Sequence, residues 1–206
     1  MFTDNLLQKI TICVLGLIIG LFAILIFKPH FTTVKVPTGV MAPFEPYQNT
    51  EDLPAPISMG LNTIMPLAHF KIEGKLLSKK RYITGKETEL SPVDFAMGWG
   101  RMSDHQVVQQ LRVSQRGRWY FWKPKKHLPI PRREIELHSA NMHIIPANDF
   151  IKRKVLKAKK GQIVKLKGYL VRVIGQDWSW KSSLSRNDTG GGACEIIYVE
   201  EFEVLN

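Results

Sequence analysis

Gln162-Ile163-Val164-Lys165-Leu166-Lys167-Gly168-Tyr169-Leu170-Val171-Arg172-Val173 is the stretch on which the fold turns. Apolar residues alternate with polar ones, the period of a half-buried strand. The phase then changes: Val164, Leu166 and Leu170 fall on one face, Val171 and Val173 on the other. Because side chains in a strand repeat every two residues, such a change re-aims the apolar set at a second core unless the backbone bends. Gly168 stands just before the change, and a bulge or sharp bend at a glycine is how small curled barrels turn their corners. The stretch predicts a small, partly open barrel.

Working outward, the chain supplies six or seven short strands and about three short helices, an α+β class with strands dominant. Phe70, Ile72 and Leu76 alternate with Lys71, Glu73 and Lys75 as a strand. Ser91-Pro92-Val93-Asp94 carries a helix-start signature closed by Gly98, and Ser103 to Gln106 has capping-box spacing before Val107, Val108 and Leu111. Leu111 to Trp122 reads as a hairpin turning at Gln115-Arg116-Gly117-Arg118, with Trp119, Tyr120, Phe121 and Trp122 on the returning strand. Consecutive aromatics on a strand point alternately, so half pack inward and half cover a neighbour or form a binding platform. A basic loop, Lys123 to Arg133, precedes an extended segment from Glu134 to Pro146, and Asn148 caps a helix over Asp149 to Ala158. The chain ends in a strand around Trp178 to Leu184, a loop from Ser185 to Ala193 and a strand from Cys194 to Val199.

On the other side of the domain lies Ile10 to Phe27, 18 residues whose only polar member is Thr11. As a helix this run is about 27 Å long, close to the hydrocarbon thickness of a bilayer. It is longer than a signal-peptide core and no cleavage pattern follows it. Residues 1–9 are a tail, 10–27 a transmembrane helix, and 28–66, with seven prolines, a proline-rich linker to a domain over 67–206. Residues 1–69 hold three of the 29 Lys/Arg and four of the 18 acids, so residues 70–206 hold 26 against 14, a net charge of +12. That charge fits anionic lipid headgroups or an acidic protein partner, and fits nucleic acid less well in a membrane-anchored chain. Cys13 and Cys194 offer no disulfide framework. The expected location is the cell membrane, single-pass. The short tail of a signal anchor leans the domain toward the extracytoplasmic side, whereas the Lys count leans the other way.

Two segments hold most of the uncommitted short polar groups in the domain, whose other loops are dominated by Lys, Arg and Pro. The first is His138-Ser139-Ala140-Asn141-Met142-His143, the second Arg186-Asn187-Asp188-Thr189-Gly190-Gly191-Gly192-Ala193-Cys194-Glu195. His138, Ser139, Asn141, His143, Arg186, Asp188, Cys194 and Glu195 are the candidate composite site, on loops at one rim of the barrel. The five-residue separation of the histidines matches neither a helix face nor a strand face, so no metal is expected, and no cofactor motif is present. A nucleophile reading takes Cys194 or Ser139 with His143 as base and Asn141 or Asp188 orienting it. The bland alternative is a satisfied polar turn and a flexible glycine loop.

The runs Ser91-Pro-Val-Asp-Phe-Ala-Met-Gly-Trp-Gly-Arg-Met-Ser-Asp104, Ser139-Ala-Asn-Met-His-Ile-Ile-Pro146 and Ser182-Ser-Leu-Ser-Arg-Asn-Asp-Thr-Gly-Gly-Gly-Ala-Cys-Glu195 resemble a family of uncharacterised bacterial membrane-anchored proteins. The resemblance implies a bacterial origin and no catalytic residue. The functional expectation is a non-enzymatic binding or assembly module on a membrane. A small hydrolase built on the two polar segments is the first alternative, and a nucleic-acid-binding barrel with an aromatic platform the second.

Overall fold

The computed structural model describes residues 38–205. Among them are ten strands, β1 (Tyr47–Asn49), β2 (Ile57–Met59), β3 (Asn62–Arg81), β4 (Val93–Gly98), β5 (Leu111–Arg116), β6 (Trp119–Pro124), β7 (Ser139–Pro146), β8 (Ile163–Ile174), β9 (Ser179–Lys181) and β10 (Glu195–Val204). Three helices join them, α1 (His105–Val108), α2 (Arg132–Leu137) and α3 (Asp149–Lys157). The main sheet runs β1-β3-β4-β7-β10-β8-β9 with β2 on β3, and β3 also pairs β8, so that β3, β4, β7, β10 and β8 close a ring. The β5–β6 hairpin is a separate two-stranded sheet.

The phase change in β8 divides two apolar clusters. Leu166 and Leu170 pack with Phe70, Phe95, Ile144 and Phe202, whereas Val171 and Val173 pack with Ile64, Ile145, Ile196 and Tyr198. The extra residues that permit this lie in both neighbours of β8. In β3 the register slips between Pro66, opposite Val171, and Ala68, opposite Leu170. In β10 it slips between Val199, opposite Gly168, and Glu201, opposite Lys167. Gly168 is needed for closeness: a Cβ there would stand 1.9 Å from the Tyr198 carbonyl oxygen. Helix α3 closes over the first cluster with Ile151 and Val155, and Asn148 caps it by accepting from the Ile151 N–H at 3.0 Å.

Several expectations are corrected. The helix expected from Ser91 to Gly98 is strand β4, buried along its whole length and paired on one edge with β3 and on the other with β7. Two long-range ladders override a local capping signal. Leu137 ends a helix, α2, and extended backbone starts only at Ser139; Ile135, fully buried, gives α2 its inward face. The proline-rich linker expected over 28–66 does not reach residue 66. Tyr47–Asn49 and Ile57–Met59 pair with β3, and β3 itself begins at Asn62. Pro66 sits beside the β3 bulge, one of the places where strand prolines are found. Upstream of these strands Ala42 is 1% exposed, and its carbonyl accepts from the Gly100 N–H. The expected transmembrane helix, 10–27, lies outside the described residues, among which no helix is long and apolar enough to cross a membrane.

Candidate functional site

The hairpin turns through Gly117 and Arg118, with φ of 58° and 68°, a two-residue turn whose twist matches its strands. On β6 the aromatics alternate. Trp119 and Phe121 are 44% and 47% exposed, while Tyr120 and Trp122 pack toward Leu77, Met102 and Ile135. Burial pushes the Tyr120 phenol up to about 12, and its hydroxyl donates to Ser139 Oγ at 3.2 Å.

Arg118 fastens this hairpin to the ring. Its Nη1 lies 2.8 Å from Oδ1 of the fully buried Asp94 and also donates to Ser91 Oγ, and its Nη2 donates to Thr88 Oγ1. The guanidinium sits 3.9 Å above the Tyr82 ring. Burial first, and then the Asp94 charge, push the Tyr82 phenol up to about 12. His143 Nδ1 approaches the same Asp94 oxygen at 2.9 Å, without hydrogen-bond alignment, and its ring lies 4.5 Å from that of Trp180.

Beside the hairpin is a cleft of about 400 Å³. Trp99 and the β6 aromatics, Ser139, Ala140 and Asn141 at the start of β7, and residues of the 185–195 loop line it. The loop is fixed at its base, where the Ser183 N–H donates to the Cys194 carbonyl, and internally, where Ser183 Oγ donates to Asp188 Oδ2 at 2.6 Å. Gly190 and Gly192 take φ of 86° and 85°, backbone that other residues adopt only with strain.

The structure brings Ser139, Asn141, Arg186, Asp188, Cys194 and Glu195 onto this one cleft. The two polar segments meet because β10 pairs β7 in parallel, Glu195 opposite Met142, and Asn141 Nδ2 points at Cys194 Sγ from 3.9 Å. His138 and His143 do not line it. His138 Nε2 is 3.0 Å from Glu45 Oε1 and its Nδ1 lies 2.9 Å from the Glu134 carbonyl, while His143 belongs to the Asp94 cluster. Sequence reasoning did not assign Trp99, Arg132 and Glu136 to the site, nor Arg118 and Asp94 to its support. None of these five carries a local signal; the alternation of the β6 aromatics pointed only to Trp119 and Phe121.

Electrostatically the cleft differs from its surroundings. Arg132 and Arg186 face Glu136, Asp188 and Glu195, so acids outnumber bases here although the described residues, 38–205, hold 26 Lys/Arg against 17 Asp/Glu, a net charge of +9. Glu195 is 1% exposed, and burial pushes its carboxyl up to about 7 although Arg186 opposes this. Arg186 Nη1 is 2.8 Å from Glu195 Oε1, yet Arg186 Nε and Nη1 and Glu195 Oε2 make no hydrogen bond. Burial, and then the Glu195 charge, push the Cys194 thiol up to about 11. Among the described residues no group of three or more His, Cys, Asp or Glu is placed to hold a metal ion. Compared with known proteins, the chain matches no family model, no curated protein and no solved structure.

Proposed function

We propose that this protein is a membrane-anchored binding module: residues 10–27 span the bilayer once, and the cleft between β6 and the 185–195 loop takes a ligand with an apolar or aromatic surface. The supporting observation is the cleft itself. Half-exposed Trp119 and Phe121 line it together with short polar groups and an incompletely bonded Arg186–Glu195 pair, the mixture of apolar lining and few convergent polar groups that ligand pockets share. The ring of strands is read as the scaffold of a small, partly open barrel, with the cleft at its edge. The resemblance to membrane-anchored bacterial proteins and the lean toward an extracytoplasmic domain belong to the same reading.

The hydrolase alternative has less support. A nucleophilic cysteine needs a depressed pKa, whereas burial raises that of Cys194, and His143 does not line the cleft. The nucleic-acid alternative would place phosphates against a cleft richer in carboxylates than in cations.

A photoreactive benzoylphenylalanine in place of Phe121 in the full chain tests the reading in cells. Irradiation should give a discrete adduct at 121 that is lost with Trp119→Ala and absent from a matched probe at Ile83, which is 90% exposed outside the cleft. Equal adducts at both positions would reject a specific cleft.

A further inference from the structure

Helix α3 buries one face and presents another that nothing in the domain uses. Ile151 and Val155 are 4% and 0% exposed in the main apolar cluster. Phe150, Arg153, Lys154 and Lys157 follow the i, i+3, i+4, i+7 spacing that places side chains on one helical stripe. Phe150 is 58% exposed, and Lys154 Nζ lies 5.1 Å over its ring. Lys152 and Lys160 are exposed beside the stripe. Among the described residues none of Lys152, Arg153, Lys154, Lys157 and Lys160 takes part in a salt bridge, although other surface cations do, such as Lys165 with Glu73 and Lys167 with Glu201. Asp149, at the first position of the helix, is its single acid. The result is an uncompensated cationic stripe with an aromatic at one end.

We infer that this face of α3 docks on the anionic surface of a lipid bilayer, with the Lys and Arg side chains at the headgroups and the Phe150 ring entering the interface. Basic residues are attracted to an anionic leaflet within a Debye length of its surface, and an exposed aromatic adds burial at the headgroup boundary. The inference rests on the anchored reading above, and the corrected domain boundary strengthens it. With folded structure already in place at Ala42 and β1, ten residues, 28–37, separate the expected span from the first described residue. Ten residues reach at most about 35 Å, so the tether itself is short.

The test uses the full chain with Cys13→Ser and Cys194→Ser and a nitroxide attached at F150C, reconstituted into nanodiscs. One set is phosphatidylcholine alone and the other carries about 30% phosphatidylglycerol. Anionic lipid should lower the accessibility of the label to a water-soluble nickel chelate by about threefold or more and raise its accessibility to oxygen. About 0.5 M NaCl, or the double change Arg153→Glu with Lys157→Glu, should reverse both. A label at F121C, in the cleft, should not respond. Equal accessibility at F150C in the two lipids would overturn docking. So would protection by a short oligonucleotide or an acidic peptide in place of anionic lipid, either of which would identify a different occupant. If the chain does not enter nanodiscs, the anchored reading fails on its own. The same label on the full chain mixed with liposomes of the two compositions then judges docking separately.

Discussion

Two arginine–carboxylate pairs in this domain are nearly the same by simple measures. In each the closest approach is 2.8 Å and the arginine side chain is 17% exposed, and the carboxylate side chains of Asp94 and Glu195 are both buried. Their surroundings differ. Arg118 also holds Ser91 and Thr88 and lies on Tyr82, so it ties the hairpin to the ring. Arg186 reaches the Ser183 carbonyl at 3.2 Å, but its Nε and Nη1 make no hydrogen bond, and its pair faces a cleft. Asp94 too keeps one oxygen without a hydrogen bond, so an orphaned oxygen alone does not mark a site. The cavity beside it does.

The largest expected effect separates the two pairs by stability. Arg118→Met strands Asp94 as a buried charge, and breaking such a pair costs about 3–5 kcal/mol. Arg186→Met should cost about 1–2 kcal/mol, because Glu195, already displaced to about 7, can take up a proton instead of staying charged. Urea unfolding of the full chain in detergent, followed by tryptophan fluorescence, measures both. Equal losses would mean that the cleft pair is as structural as the other.

A pH series sharpens the contrast. Glu195 rises from 4.5 in the unfolded chain to about 7 in the folded one, so the folded state holds its proton more tightly. Its contribution is fully present below pH 4.5 and is lost as pH rises through about 7, with stability falling across that window. Glu195→Gln keeps the shape without the charge. It should flatten that slope and gain about 1–3 kcal/mol above pH 8 relative to the parent. A parent protein whose stability is level between pH 5 and 8 would show that Glu195 titrates normally.

What could be read from the sequence was what local pattern decides. The phase change in β8 was legible because a period of two admits only a bend or a second core, and the structure has both. The four β6 aromatics were legible for the same reason. β4 was not, since Ser91-Pro92-Val93-Asp94 carries local helix signals while the strand's fate is set by ladders from Lys75–Arg81 and Ser139–Ile144. Residues 47–66 were hidden by their prolines, which short edge strands and a bulge accommodate. The short polar groups of the cleft stood out by composition, but nothing local distinguished His143, turned to Asp94, from Asn141, turned to Cys194. Arg118 was the hardest to see. An arginine at a hairpin turn looks like solvated surface, and only the folded chain shows it reaching a carboxylate 24 residues away.

The smallest effect is expected one residue further on, and it completes the comparison. Arg118 and Trp119 are neighbours at the same turn, but Arg118 reaches back into the domain and Trp119 faces the cleft. Trp119 is 44% exposed and belongs to none of the apolar clusters, unlike Trp122, which packs with Ile135 and lies 5.1 Å from the Arg132 guanidinium. Trp119→Ala removes a large aromatic surface but leaves no buried cavity, so the cavity cost of a core truncation does not arise. It should change stability by less than about 1 kcal/mol, whereas Trp122→Ala should cost about 2 kcal/mol or more. The same unfolding curves measure both, and the photoadduct at Phe121 should vanish in the Trp119 variant while its stability stays near the parent's. If Trp119→Ala unfolds the protein as readily as Trp122→Ala does, the exposed ring is part of the structure and the aromatic wall loses its claim to be a binding surface.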